Sequence, residues 1–87
     1  MAREINDESA LCVAHHNLAE LCLLTGDSDA AADHAREEIA IAGRIRFAMR
    51  EARGNEILAD CLAETDPAAA GHALRRAIEI YDRIDVL

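Results

Sequence analysis

The side chains best suited to chemistry in this 87-residue chain are three cysteines and four histidines, most of them crowded into its first half. Cys12 and His16 are four positions apart with His15 beside them, and Cys22 and His34 follow. On a helix, positions i and i+4 fall side by side, and zinc accepts thiolate and imidazole ligands. Two ligands make an incomplete site, so His34 would have to fold back from another element to extend it. Free cysteine behaves chiefly as a small buried hydrophobe. The expectation is therefore packed cysteines and half-exposed histidines, with no metal and no cofactor. His34 and His72 each precede an alanine in matching places. Histidine titrates near neutrality, but neither has an evident acid partner, and repeats copy the residues of their interfaces.

Glu20, Glu56, Asp60 and Glu64 could pair as general acid and base. Four acids spread along helices read more simply as a solvated face. No glycine-rich phosphate loop, nucleophile motif or aromatic platform accompanies them, and a thin alanine-rich core is hard to hollow into a pocket. No enzyme is expected. Arg44, Arg46, Arg50 and Arg53 form the one basic run, interrupted by Glu51 and followed by Glu56. These arginines should meet acids of the preceding segment, Glu37 or Glu38, in pairs worth less than about 1 kcal/mol when exposed.

The elements that must position these residues are helices. Composition already points that way: the hydrophobic share is 52%, carried by Ala, Leu and Ile with one Phe, one Tyr and no Trp. Such side chains suit closely approaching helices. A chain this short has room for one domain that buries only about 60% of its unfolded surface. With Asp+Glu at 17 against Lys+Arg at 9, the net charge of −8 repels nucleic acid and anionic membranes. An odd cysteine number without disulfide-scaffold spacing fits a reducing compartment. The N-terminus lacks an apolar signal region and no run approaches a membrane span. A soluble, cytoplasmic chain is expected.

Taken in order, Asn6 or Asp7 offers a start signal for a first helix over about residues 8–25, with Leu11, Ala14, His15, Leu18, Leu21, Cys22 and Thr25 on its packing face. Gly26 ends it. Ser28 or Asp29 can cap a second helix over about residues 30–42, buried through Ala31, Ala35, Ile39 and Ala42. Gly43 interrupts the pattern. A third helix over about residues 47–64 turns Ala48, Ala52, Leu58, Ala59 and Leu62 inward, and Gly54 inside it marks a kink or a fray. Asp66-Pro67 then caps and opens a fourth helix over about residues 67–83, because proline is favoured at the first helical position. Its inward face would carry Ala70, Ala73, Leu74, Ala77, Ile78 and Tyr81. Nothing reads as a strand, and no polar linker divides residues 1–87.

The second half rewrites the first. Leu18-Ala19 and Leu58-Ala59 lie 40 positions apart, and His34-Ala35 and His72-Ala73 lie 38 apart. Ile5, Ile45 and Ile84 mark the junctions, giving units of about residues 5–44 and 45–84. A period near 40 with two helices per unit is the mark of an α-solenoid. Fold class follows as all-α, two antiparallel helical hairpins stacked as a short solenoid.

With Leu18-Ala19, Gly26-Asp27 and Ala31 in one unit, and Leu58-Ala59, Asp66-Pro67-Ala68-Ala69-Ala70, Leu74 and Ala77 in the other, the chain resembles the tetratricopeptide repeat (TPR) family. It is most similar to the slightly long variety found in tandem in large bacterial transcriptional and signalling regulators. Cys22 and Leu62, then Ala35 and Leu74, stand where that family usually has bulky aromatics, and Glu38 stands where a small alanine is customary.

The resemblance implies a non-catalytic protein-interaction module whose groove is lined by the first helix of each unit. Groove positions would be Val13, His16, Asn17, Glu20 and Leu24 from one unit and Arg53, Glu56, Ile57, Asp60 and Glu64 from the other. Asn17 and Arg53 among several acids do not suit a clamp for a terminal carboxylate. The groove's charge points instead to a basic, amphipathic peptide or helix of a partner protein. The alternative is a self-associating helical bundle that dimerises a larger protein. Because Ile84-Asp85-Val86-Leu87 offers no capping helix, the open repeat ends are expected to join a longer array or a second copy.

Overall fold

A computed structural model describes the backbone of residues 2–85 and the side chains of residues 7–84. Four helices follow in order, α1 (Ala2–Leu24), α2 (Ser28–Arg44), α3 (Ala48–Leu62) and α4 (Pro67–Asp85), with no strand among the described residues. Each helix packs on the next, and α1 also touches α3, whereas α1 and α4 make no contact among the described residues. The molecule measures 41 × 32 × 16 Å along its principal axes, twice as wide as it is thick, where a closed four-helix bundle would be about equally wide in both directions. Two hairpins are therefore stacked side by side in an open array rather than closed into a four-helix bundle.

Small residues make that stacking close. Ala19 of α1, Ala35 of α2 and Ile57 of α3 meet in one buried cluster, joined at its edge by Leu23 and Leu58. Ala31, Ala32 and Cys61 form a second, and Cys12, Ile41 and Ala42 a third with Ile45 against it. Burial is thus divided among several thin clusters, as expected for a chain with so little aromatic volume.

Punctuation between helices is carried by aspartates. Asp27 accepts a hydrogen bond from the Ala30 amide at 3.1 Å, and Asp66 does the same for Ala69 at 3.2 Å. The N-cap of α2 is thus Asp27, not Ser28 or Asp29: Ser28 already lies in the first turn, so the carboxylate one position earlier is the one that reaches a free amide. Gly26 adopts φ +86°, the left-handed conformation expected of a helix stop. The α2–α3 turn achieves its own left-handed residue without glycine, at Arg46 with φ 59°.

Several sequence expectations are corrected. α1 runs unbroken from Ala2, so Asn6 and Asp7 do not start it. α2 continues through Gly43 to Arg44, and α3 runs unbroken through Gly54. The α1 packing face is also rotated from the expected one: Cys12 and Ala19 are fully buried, while Leu11, Leu18 and Leu21 are 49%, 41% and 56% exposed. Ala14 and Thr25 are exposed too. This helix is apolar on two adjacent sides, and the side with the smaller residues lets the alanine edge of α2 come close. The same choice recurs on α4, where Ala73, Ala77 and Ile80 are buried and Leu74 and Ile78 stay about half exposed. Ala48 of α3 is exposed as well.

Candidate functional site

The groove between α1 and α3 holds a cavity of about 530 Å³ lined by His16, Glu20, Leu23 and Leu24 from α1 and by Arg53, Glu56, Ile57 and Asp60 from α3. The positions on α3 share a face because 53, 56, 57 and 60 follow the three-and-four spacing of a helix. Seven residues named from the sequence come together here: His16, Glu20, Leu24, Arg53, Glu56, Ile57 and Asp60. Val13 and Asn17 lie outside the lining, which occupies the C-terminal half of α1. Glu64 is outside it as well: α3 ends at Leu62, which leaves Glu64 in the following turn. Leu23, assigned no role from the sequence, completes the apolar part of the lining beside Leu24 and Ile57.

Behind His16 lies a buried acid that does not itself line the groove. Glu38 of α2 is fully buried, and His16 Nδ1 lies 2.9 Å from its Oε1. Arg50 Nη1 approaches the other oxygen at 3.6 Å, and that Oε2 has no hydrogen-bond partner among the described residues. Burial pushes the Glu38 carboxyl above its ordinary value, while the His16 hydrogen bond and the charges of His16 and Arg50 pull it back. His16 Nε2 faces outward to Glu20 at 3.5 Å. The imidazole thus stands between a buried carboxyl and a groove carboxylate. Room for Glu38 comes from Gly54: a Cβ there would lie 2.7 Å from Ile39 Cγ1 and 3.3 Å from Glu38 Oε1. The glycine that suggested a kink therefore accommodates a close helix crossing.

Glu56 is held in place from α4, where the Tyr81 hydroxyl donates to its Oε1 at 2.7 Å. Burial, followed by that contact with Glu56, raises the Tyr81 pKa and keeps the phenol protonated as donor. Glu20 and Asp60 remain exposed. The groove wall therefore presents the acids Glu20, Glu56 and Asp60 against one guanidinium, that of Arg53, around an apolar centre.

The cysteine and histidine candidates are dispersed. Cys12 is buried and donates to the Glu38 carbonyl at 3.5 Å; burial first, then the Glu38 charge, raises its pKa. Cys61 is likewise raised by burial and by Asp60. His16 serves Glu38, and His34 meets His15 rather than the Cys12–His16 pair. Among the described residues no three ligating side chains gather. Of the arginine run, Arg50 meets Glu38 as the sequence suggests, while Arg44 reaches back to Glu8 of α1.

The fold and groove are those of an all-α, open stack of two helical hairpins. Compared with known proteins, the chain matches no protein-family model, no curated relative and no solved structure.

Proposed function

We propose that the chain is a non-catalytic protein-interaction module whose α1–α3 groove seats a basic, amphipathic segment of a partner protein. The observation that carries this is the convergence of Glu20, Glu56 and Asp60 around Leu23, Leu24 and Ile57 in one groove. An amphipathic helix would place its apolar side chains on that centre and its Lys or Arg side chains against the acids. Electrostatic complementarity of this kind sets orientation and association rate more than raw affinity. Leu24 supports the reading: it is 85% exposed at the groove edge, where a docked segment would cover it.

The tetratricopeptide resemblance and its association with bacterial regulators support the same reading, and a cytoplasmic setting suits the free cysteines. No described helix is long and apolar enough to cross a membrane. The experiment is an NMR titration with a designed Leu/Lys amphipathic helix and its Leu/Glu counterpart. The basic peptide should shift the amides of Glu20, Leu24, Ile57 and Asp60; shifts confined to other faces would refute the assignment.

A second reading, self-association, rests on its own observation. Leu11, Leu18 and Leu21 line the outward side of α1, and Leu74 and Ile78 stand out from α4 at the other end of the stack. Light scattering with size exclusion decides it: a dimer persisting on dilution favours self-association, a monomer favours the adaptor.

A further inference from the structure

A second cavity, of about 300 Å³, lies where the α2–α3 turn meets the C-terminal half of α4, and it shares no residue with the α1–α3 groove. Three arginines line it: Arg46 from the turn, and Arg76 and Arg83 from one face of α4. Ala48, Ile80 and Ile84 form its apolar part, and Glu51 is the single acid in the lining. In a chain of net charge −8 this is a concavity of the opposite sign, whereas the groove sets three acids around one guanidinium.

Internal pairing consumes only part of that positive charge. Arg76 Nη2 lies 3.2 Å from Glu51 Oε2 and its Nη1 lies 3.7 Å from Glu79 Oε1, so its guanidinium is fixed between α3 and α4. Arg46 and Arg83 have no ion-pair partner among the described residues. The backbone adds to them. α3 begins at Ala48 in the cavity lining, and Phe47 before it makes no side-chain cap hydrogen bond, so the first-turn amides and the positive end of the helix dipole face no capping side chain. The opposing end of α2 is satisfied internally: the carbonyls of Ile41, Ala42 and Gly43 accept from the amides of Ile45, Phe47 and Arg46 at 3.0, 2.8 and 3.4 Å.

We propose that this cavity binds a phosphate monoester whose ester group is apolar. Guanidinium forks match phosphate oxygens bidentately, and such charge-assisted bonds are the strong ones. Three guanidiniums against one carboxylate leave two positive charges in the lining, and a phosphate monoester carries about −1.5 to −2 at neutral pH. A carboxylate, with one negative charge, would leave the lining half neutralised. The apolar ester group takes the Ile80 and Ile84 side of the cavity. The volume stands at the lower end of ligand sites, which run from about 300 to 1,000 Å³, so the group is small. A free phosphate ester and a phosphorylated side chain of another protein share this chemistry.

The test uses the full chain and phenyl phosphate, titrated at constant ionic strength against sodium chloride and followed by amide NMR shifts. The amides of Ala48, Ile80 and Ile84 should shift to saturation, and phenol at the same concentrations should leave them in place. Arg46→Gln and Arg83→Gln should each weaken binding about tenfold, the effect of losing one charge-assisted hydrogen bond. Arg75→Gln, exposed and outside the lining, should bind as the unaltered chain does. Because the titration is read first on the unaltered chain, it remains decisive even where a variant folds poorly. A short phosphotyrosine peptide separates the two sources: binding tighter than that of phenyl phosphate assigns the site to a phosphorylated side chain, and weaker binding to a free ester. Shifts no larger than those from chloride, a response to phenol equal to that to phenyl phosphate, or unchanged binding in both Arg46→Gln and Arg83→Gln would overturn the proposal.

Discussion

Replacing Gly54 by alanine sets two opposing effects against each other. Glycine inside a helix costs about 1 kcal/mol relative to alanine, so on an open helix face the substitution would stabilise. At position 54 the new methyl would lie 2.7 Å from Ile39 Cγ1, nearer than carbon atoms pack, and 3.3 Å from Glu38 Oε1. Neither neighbour yields freely. Ile39 is β-branched and stiff at χ1, and Glu38 is buried and held by His16. Overpacking of this sort costs about 1–3 kcal/mol, which exceeds the helix gain. We expect Gly54→Ala to destabilise by about 1 kcal/mol net, a fall of about 4–8 °C in Tm for a domain of this size. Gly71 provides the control: it is exposed within α4 and a Cβ there meets nothing within 4 Å. Gly71→Ala should stabilise by about 0.5–1 kcal/mol. Urea denaturation of both variants reads the two signs side by side. Stabilisation by both alanines would refute the close α2–α3 crossing and, with it, the account of how Glu38 is seated.

Asp27→Ala and Asp66→Ala should each cost about 1 kcal/mol in a urea melt by freeing first-turn amides, whereas Ser28→Ala and Asp82→Ala should stay within about 0.5 kcal/mol; equal effects would misplace the caps. Glu38 makes a pH prediction. Its folded pKa is raised, so the native state holds the proton more tightly than the unfolded chain. This group's contribution therefore grows as pH falls through its folded pKa and is fully present below the unfolded value near 4.5. The stability difference between the unaltered chain and Glu38→Gln should move in favour of the unaltered chain as the pH is lowered toward 4.5, with a slope of at most about 1.4 kcal/mol per pH unit. A constant difference would show that Glu38 is not desolvated.

Helix number, order and the Asp66-Pro67 start were legible because glycine, proline and aspartate act locally on the backbone. Faces were less so. On α1 the leucines suggest the inward side by hydrophobicity, but Cys12 and Ala19 are buried because close crossing rewards small size, and on α4 the expected Ala73 and Ala77 are buried while Leu74 and Ile78 stay out. Periodicity alone does not separate two apolar faces of one helix. Most of the groove lining was reachable because a helix fixes which of 53, 56, 57 and 60 point together. The Tyr81–Glu56 bond, the His15–His34 contact and the Glu38–Gly54 fit join different helices. Of these, Glu38, standing where the resembling family keeps a small residue, and Gly54, an interruption inside a helix, leave a trace in the sequence.

Recognition of a basic segment by the acids of the groove is read most directly by fluorescence anisotropy with the Leu/Lys helix over a salt series. Glu20 and Asp60 are exposed, so their attraction is screened once the Debye length falls below about 8 Å. Affinity should drop several-fold between low and high salt, and Glu20→Lys with Asp60→Lys should weaken it further while helix content stays intact. Binding indifferent to both salt and the double charge reversal would contradict the account and move the interaction surface to the outward leucines of α1.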